Sequence, residues 1–359
     1  SADAFTFSCT LKACGLVRSL EMGKVVHFEV KKRGLLEKNL VLGNALMDMY
    51  GKCGSLLDAQ EVFDKLPEPD IISWNVLISL YVQDGLNLNA LDCFARMQVG
   101  GFHPDDFTFT CILKACGNIG LLKKGEEIHS EIGIRQGDFL KKNIVLGNAL
   151  LDMYVKCGSL KKAKQVFDEI PPRNLTSWTT LITGYAQHGL GDNALKCFLC
   201  MQEEGLSPNE VTFASTLKAC GVSGSAEKGE EIHARMNKQG LLERNPILST
   251  ALVDMYAKCG MLKEAREVFD DLLVRDVVSW NALLAGYAQL GNIEKIFELY
   301  NSMLQDGIRP NRVTFLVLLT LCSHAGLISE GQMYFDTMDT VYHIAPTLEH
   351  YACMVDLFG

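Results

Sequence analysis

The stretch VVSWNALLAGY, residues 277–287, decides the fold, because related stretches stand at two other places in the chain. IISWNVL occupies residues 71–77 and LTSWTTL occupies residues 175–181. Their tryptophans are the only three in the chain, and they stand 104 and 102 residues apart. A small polar residue follows each tryptophan: Asn75, Thr179 and Asn281. The sequence is therefore repetitive, and this polar position is the first candidate for a functional site.

Composition narrows the class of protein. The chain has 359 residues, of which 48% are hydrophobic and 21% charged, as in an ordered globular protein rather than a disordered one. No apolar run approaches the roughly 20 residues of a membrane span, and residues 1–30 show neither a signal-peptide nor a transit-peptide pattern. The net charge of −9 counts against indiscriminate nucleic-acid binding but leaves room for a basic stripe on one face.

Most of the thirteen cysteines recur at fixed repeat positions. They stand in Lys-Ala-Cys-Gly (Cys14, Cys116, Cys220) and in Lys-Cys-Gly (Cys53, Cys157, Cys259). Cysteines at the same place in successive copies indicate small buried core residues. A disulfide framework is typical of short secreted chains, so we expect a reducing compartment.

A unit of about 102 residues repeats, and it divides into three smaller units. Leu-Lys-Ala-Cys-Gly begins at Leu11, Leu113 and Leu217, and Asp-Met-Tyr recurs with similar spacing. The smaller units are predicted as a first type at 4–39, 106–143, 210–245 and 312–347; a second type at 40–70, 144–174 and 246–276, begun again at 348–359; and a tryptophan type at 71–105, 175–209 and 277–311.

Each small unit reads as two helices. In the unit 71–105, Asp84-Gly85 ends the first helix, and the second carries apolar residues at helical spacing: Ala90, Leu91, Phe94 and Met97. A helix pair of this size cannot bury its apolar face alone, but stacked pairs can. The sequence therefore predicts an all-α fold, an α-solenoid of helix-turn-helix repeats forming one array over 1–359.

The motifs resemble those of the pentatricopeptide repeat family, in its plant PLS subclass. Units with Ser-Trp-Asn-Ala-Leu and Gly-Tyr-Ala-Gln resemble P motifs; those with Leu-Lys-Ala-Cys-Gly and Gly-Glu-Glu-Ile-His resemble L motifs; those with Asp-Met-Tyr and Lys-Cys-Gly-Ser-Leu resemble S motifs. The order is L-S-P three times, then L and part of S. The resemblance implies a right-handed superhelix that binds single-stranded RNA at about one base per repeat. The similarity of the three copies is typical of recent duplication or of a consensus-type design.

In this family the fifth residue of the first helix and the last residue of the repeat read the base. Carried over, the pairs are Asn44 with Asp70, Asn75 with Asp105, Asn148 with Asn174, Thr179 with Asn209, Thr250 with Asp276, and Asn281 with Asn311. The resemblance makes Asn/Asp a reader of uracil, Thr/Asn of adenine and Thr/Asp of guanine. Asn/Asn favours cytosine and tolerates uracil. The alternative interpretation is that these residues are helix caps or solvated surface.

L units are weaker readers in this family. Their pairs are Ser8 with Asn39 and Thr110 with Asn143, both typical of adenine, whereas Ala214 has no polar group with which to read. With the N-terminal repeat at the 5′ end, the expected RNA is A-U-U-A-(C/U)-A-N-G-(C/U).

Two further sets of residues follow from the resemblance. The second residue of each first helix is expected to lie between bases: Val41, Ile72, Val145, Val211, Ile247, Val278 and Val313. Thr176 departs from this pattern, and core packing is the alternative. Lys52, Lys156 and Lys258 are expected to contact phosphate, with solvated helix ends as the alternative.

Other chemistry finds little support. Cys197 and Cys200 form a lone Cys-x-x-Cys without a second ligand pair, so we predict no metal site and no cofactor. His27, His129 and His233 recur in L units, which suits packing better than one active site. A deaminase would need a His-x-Glu and a zinc-binding Cys-x-x-Cys, so we predict that this chain is not an enzyme.

The resemblance implies a specificity module of an organellar C-to-U RNA editing factor, in a mitochondrion or chloroplast. The alternative is a helical-repeat scaffold that binds proteins of the multiple organellar RNA-editing factor (MORF) family through its L repeats.

Overall fold

The computed structural model describes residues 3–36, 39–136, 143–170, 172–243 and 245–359, and over these ranges it contains 21 helices and no strands. Among these helices, none is long and apolar enough to cross a membrane. Parts of the predicted repeats, at 1–2, 37–38, 137–142, 171 and 244, lie outside the described residues.

The chain forms two compact units, Ser1–Leu181 and Ile182–Gly359. The helices up to the end of the first unit are α1 (Ala4–Leu16), α2 (Leu20–Lys32), α3 (Leu40–Lys52), α4 (Leu56–Asp64), α5 (Ile71–Gln83), α6 (Asn87–Val99), α7 (Asp106–Asn118), α8 (Leu122–Gln136), α9 (Ile144–Lys156), α10 (Leu160–Glu169) and α11 (Leu175–Gln187), which runs into the second. The others are α12 (Gly191–Glu203), α13 (Glu210–Ser223), α14 (Ala226–Lys238), α15 (Pro246–Lys258), α16 (Leu262–Asp270), α17 (Val277–Gln289), α18 (Ile293–Gln305), α19 (Arg312–Ala325), α20 (Ile328–Thr340) and α21 (Leu348–Phe358).

Tight turns join the helices into antiparallel pairs. Between α3 and α4, Gly54 adopts a left-handed conformation (φ 74°) and donates its N–H to the Gly51 carbonyl at 2.9 Å. A residue without a Cβ atom takes this conformation at little cost. The first helices of successive pairs then pack side by side: α1, α3, α5, α7 and α9 in one unit, and α13, α15, α17, α19 and α21 in the other. The predicted all-α solenoid of stacked helical pairs is confirmed, while the repeat boundaries stay a prediction.

The tryptophans that mark the P units belong to the core. Trp280 is 2% exposed and meets the Phe269 ring edge-on at 4.7 Å between centroids. The pairs Phe63–Trp74 (4.7 Å) and Phe167–Trp178 (4.6 Å) repeat this geometry. Such pairs contribute about 0.5–1.5 kcal/mol beyond burial, so the tryptophans stabilise the frame.

The cysteines divide by motif. Cys14, Cys116 and Cys220 are buried, which confirms the predicted core role, and burial raises the pKa of Cys116 to about 11. Cys53, Cys157 and Cys259 instead stand at helix C-caps and are only half-buried. The core prediction fails for these three because each helix ends at the lysine before the cysteine.

Each recurring L-unit histidine packs against the tyrosine of the next S unit. The distances from Nδ1 to the hydroxyl oxygen are His27–Tyr50 2.7 Å, His129–Tyr154 2.9 Å and His233–Tyr256 2.8 Å. Burial lowers the pKa of all three imidazoles and raises the pKa of the three tyrosines to about 12. The predicted packing role of these histidines is confirmed.

Small residues set how closely the first helices approach. A Cβ added at Gly286 in α17 would lie 2.7 Å from the Ala257 Cβ and 3.2 Å from its Cα, both in α15. Gly133 in α8 is the opposite case, because no heavy atom among the described residues lies within 4 Å of its added Cβ.

Candidate nucleic-acid interface

The predicted site residues lie on the first helices or at the residue just before them. Val278 and Asn281 are three positions apart in α17, so they share a helix face. The residue before each first helix is the last of the preceding predicted repeat. The stacking of first helices therefore repeats the same three positions along each unit.

The last residue of each predicted repeat is the N-cap of the next first helix. Asp105 accepts a hydrogen bond from the Thr108 N–H at 2.8 Å, and Asn311 accepts one from the Thr314 N–H at 3.1 Å. The other caps are Asn39, Asp70, Asn143, Asn209, Asn245 and Asp276, and Asn174 accepts the Ser177 N–H in the same way. The capping interpretation is thus correct for this half of each pair. Capping uses one side-chain oxygen, Oδ1. The other terminal atom, Oδ2 of aspartate or Nδ2 of asparagine, is not used by the cap.

Three of the predicted pairs are joined directly. The Nδ2 of the fifth-position asparagine donates to the cap in Asn75–Asp105 (3.1 Å to Oδ1, 3.0 Å to Oδ2), Asn148–Asn174 (3.3 Å) and Asn281–Asn311 (3.0 Å). These asparagines lie within helices and are not caps, and Asn75 and Asn281 are only 7% and 6% exposed. The structure therefore joins, by hydrogen bonds, side chains that stand about 30 positions apart in the sequence.

The other pairs differ in detail. Asn44 has a buried Oδ1 without a hydrogen-bond partner among the described residues, while Asp70 caps α5. Thr250 is half-buried, and Asp276 caps α17. Thr179 and Asn209 belong to different units: Thr179 is 9% exposed, and Asn209 caps α13.

Two of the L units direct their last residue elsewhere. The Asn143 Nδ2 donates to the Asp106 carboxylate at 2.6 Å, and the Asn245 Nδ2 donates to the Glu210 carboxylate at 2.7 Å. The Thr110 hydroxyl donates to a backbone carbonyl of its own helix. An acidic residue at the first position of these L units thus holds the cap amide away from the fifth position.

The second-position side chains are exposed. Val41, Ile72, Val145, Val211, Ile247 and Val278 keep between 56% and 72% of their surface accessible, and Val313 keeps 52%. Core packing is therefore not their role in the structure. Thr176 is exposed as well, and it interrupts the apolar row at its position.

The predicted phosphate lysines are half-exposed and paired with the aspartate four residues earlier. The distances are Lys52–Asp48 2.6 Å, Lys156–Asp152 2.8 Å and Lys258–Asp254 2.6 Å. Each pair is close to neutral, so these lysines form no basic stripe by themselves. Exposed pairs of this kind contribute only about 0.3–0.5 kcal/mol, so a phosphate could displace the aspartate at little cost.

A second set of lysines escaped the sequence analysis. Lys12, Lys114 and Lys218 follow the fifth position of their L helices by four residues, so they share its face. They are exposed, and within the described residues none has a carboxylate within 4.0 Å. These lysines are the second residue of the recurring Leu-Lys-Ala-Cys-Gly motif, so their regular spacing is visible in the sequence.

The described residues contain no group of three His, Cys, Asp or Glu side chains that could hold a metal ion. Cys197 is buried and Cys200 is exposed on α12.

The model of the PPR repeat family matches residues 69–118, 173–221 and 275–324, and the PPR repeat model matches 44–70, 107–133, 148–171 and 248–277. A pentatricopeptide repeat-containing protein of Arabidopsis thaliana is 38% identical over 100% of this chain and 58% of its own length. A second, putative one from the same plant is 37% identical over 100% of this chain and 64% of its own length. The chain thus spans about three-fifths of these relatives.

Among solved structures, the pentatricopeptide repeat protein PPR10 in complex with an 18-nucleotide psaJ RNA element has a similar fold. The TM-score is 0.80 at 19% identity, over 94% of this chain and 50% of that chain. At this identity the likeness concerns the fold alone.

Proposed function

Because this chain belongs to the pentatricopeptide repeat family, we propose that it binds single-stranded RNA sequence-specifically, at about one base per repeat. One observation carries the proposal: a row of exposed valines and isoleucines stands one helical turn from the polar pairs. Apolar side chains contact the faces of any base, whereas a polar pair at the base edge distinguishes one base from another. The predicted S and P repeats with a complete pair each offer an apolar side chain and a polar pair, except that the repeat 175–209 has Thr176 in place of the apolar residue.

Hydrogen-bond chemistry supports the base assignment. Capping occupies Oδ1 of the last residue, so Asp105 keeps Oδ2, an acceptor, and Asn311 keeps Nδ2, a donor. Uracil and guanine carry a ring N–H on their Watson–Crick edge, whereas cytosine and adenine carry a ring nitrogen acceptor there. A capping aspartate therefore suits uracil or guanine, and a capping asparagine suits cytosine or adenine.

The pairs together specify the nonamer A-U-U-A-(C/U)-A-N-G-(C/U), read with the N-terminal repeat at the 5′ end. The two adenines at L positions are the weaker assignments, since Asp106 holds the Asn143 amide. Gel-shift titration of the chain with this nonamer and with a shuffled nonamer of equal composition tests the proposal. Equal affinity for both RNAs would rule out base reading.

Electrostatics limits the strength of phosphate binding. The chain carries a net charge of −9, and the S-unit lysines are already paired. The three exposed L-unit lysines add positive charge to the first helices. We therefore expect a shallow salt dependence, since each neutralised phosphate adds about 0.7 to the slope for a single strand.

The L-S-P order supports a finer role, that of the specificity module of an organellar C-to-U RNA editing factor of the PLS subclass. The protein would then act in a mitochondrion or chloroplast and select the site for a deaminase. Sequencing of the organellar RNA crosslinked to the protein tests this role. The nonamer should be enriched just upstream of edited cytidines, and enrichment elsewhere would contradict the editing role.

A second candidate function is a scaffold that binds MORF proteins through the L repeats. The observation that favours it is the diversion of the L caps: the Asn143 and Asn245 amides bind acidic residues of their own repeats. Ala214 and Leu316 add fifth positions that carry no hydrogen-bonding group. Titration calorimetry with a MORF protein in the absence of RNA tests it. Protein binding without RNA binding would favour the scaffold alone.

A further inference from the structure

The third residue of six first helices, all in predicted P or L units, carries a fully buried hydroxyl. Ser73, Thr108, Ser177, Thr212, Ser279 and Thr314 are all 0% exposed. A buried hydroxyl needs hydrogen-bond partners. The acceptor to which it donates its proton is thereby held in one orientation. These residues were not among the predicted site residues.

In three places this hydroxyl contacts the base-reading asparagine of the preceding repeat. The distances from the hydroxyl to Oδ1 are Thr108–Asn75 2.6 Å, Ser177–Asn148 2.7 Å and Thr314–Asn281 2.7 Å. In each case the hydroxyl oxygen also accepts the backbone N–H of the cap residue, at 3.2, 3.4 and 3.1 Å. The cap's Oδ1 lies farther from the hydroxyl than the asparagine Oδ1, at 2.8, 3.0 and 3.2 Å.

These contacts hold the asparagine amide in one orientation. Its Oδ1 faces the hydroxyl, and its Nδ2 faces the capping residue. If the Asn75 amide turned by 180°, its Oδ1 would face the Asp105 carboxylate, where two acceptors meet without a proton. The held orientation leaves one N–H on Nδ2 and one lone pair on Oδ1 for a base.

Ser73 and Ser279 carry hydroxyls of the same type that are directed elsewhere. The Ser73 hydroxyl donates to the Asp70 Oδ1 at 2.9 Å, although the reading residue there is Asn44. Ser279 donates to the main-chain carbonyl of Asp276 at 2.9 Å, and the reading residue there is Thr250, which has no amide to orient. Ser177 and Ser279 are the same residue at the same place of a P unit, with the same burial. Ser279 is therefore a matched control for Ser177.

We propose that the hydroxyl on the third residue of the following helix is a specificity-determining positioning group, which holds the reading asparagine so that it selects a pyrimidine. The inference rests on the proposed function, because it concerns how the same surface discriminates among bases. It adds a third residue to three of the four asparagine readers, Asn75, Asn148 and Asn281: Thr108, Ser177 and Thr314.

The experiment measures dissociation constants by fluorescence anisotropy for RNAs that carry each of the four bases at one position. For Ser177→Ala, the pyrimidine-to-purine affinity ratio at the base facing Asn148 should fall about tenfold, as expected for loss of one hydrogen bond to a buried polar group. Ratios at the other bases should stay unchanged. Ser279→Ala should leave the ratio at its own base unchanged.

A second variant set guards against loss of folding. Thr314→Val removes the hydroxyl at nearly constant volume, and Thr314→Ser keeps it. The ratio at the base facing Asn281 should fall for the first and be retained by the second, with thermal melting followed for both.

The outcomes separate the inference from the proposed function. If Ser177→Ala and Thr314→Val weaken binding of all four bases by one factor, the hydroxyl is only a structural cap and the inference is overturned. If the variants keep the wild-type ratio, it is overturned as well, while base reading stands. A wild-type protein with no base preference at these positions would overturn the proposed function itself.

Discussion

Exchanging Asp105 for asparagine should change the base that the Asn75 repeat prefers without changing the fold. The Asp105 Oδ1 caps α7 by accepting the Thr108 N–H at 2.8 Å. Asparagine caps a helix as well as aspartate does, and Asn311 shows the geometry within this chain, with its Oδ1 accepting both the Thr314 N–H and the Asn281 Nδ2. The exchange therefore alters one outward atom, from an acceptor oxygen to a donor nitrogen.

The magnitude follows from the lost hydrogen bond. In Asp105→Asn, the uracil N3–H would meet an N–H instead of an oxygen, at a cost of about 1–3 kcal/mol. Cytosine, with an acceptor at N3, would gain a donor. Because about 1.4 kcal/mol corresponds to tenfold in affinity, the uracil-to-cytosine ratio at this base should fall by roughly 5- to 150-fold and pass to the cytosine side.

Fluorescence anisotropy with two RNAs that differ only at this base measures the ratio. The exchange also removes a negative charge, which raises affinity for every RNA, so Asp106→Asn serves as the control. Asp106 is the next residue and loses the same charge, but its carboxylate binds Asn143 instead of the reading pair. An unchanged uracil preference in Asp105→Asn, with melting temperature retained, would refute the reasoning.

Three further predictions concern charge, packing and pH. Lys114→Gln should reduce the slope of log affinity against log salt by about 0.7, whereas Lys161→Gln on a second helix should leave it unchanged, as RNA titrations at several salt concentrations would report. Gly286→Ala should destabilise the protein by about 1–3 kcal/mol through overpacking, and Gly133→Ala should stabilise it by about 0.5–1 kcal/mol, in urea unfolding; equal effects would contradict the packing argument. Burial lowers the pKa of His233. As the pH falls below the ordinary histidine pKa, the unfolded chain therefore takes up a proton at this residue before the folded chain does. The folded state loses stability over this pH range. His233→Gln should therefore reduce the loss of melting temperature between pH 7.5 and 5.5, and an unchanged pH profile would contradict this assignment.

The repeat pattern was sufficient to predict the fold, because helix pairs that each have one apolar stripe can bury it in few ways. The recurrence of the tryptophans belongs to the same pattern, whereas the exposed second-position row was expected only from the family resemblance, with core packing as the alternative. The Lys52–Asp48 pairing could have been predicted as well, since a spacing of four places oppositely charged side chains together on a helix. It was missed because the lysines were read one position at a time.

The inward orientation of the asparagines proposed to read bases could not be predicted from the sequence. Asn75 binds Asp105 and Thr108, which stand 30 and 33 residues later. Spacing within a helix does not report a hydrogen bond of that range, because it depends on how two repeats stack. The diversion of the L caps has the same origin: Asp106 reaches Asn143 only once the ends of the repeat have come together.

The double use of the last residue places a limit on how the binding specificity can change. A position that must both cap a helix and present an atom to a base admits only short side chains with an oxygen near the backbone. Lysine, glutamate or leucine there would forfeit the cap, at about 1 kcal/mol per helix, whatever base it favoured. Substitutions at this position are thus filtered by folding before binding is ever tested. An array of this kind can acquire a new target by exchanging aspartate and asparagine at no cost in stability, which makes target choice easy to alter and the set of usable residues small.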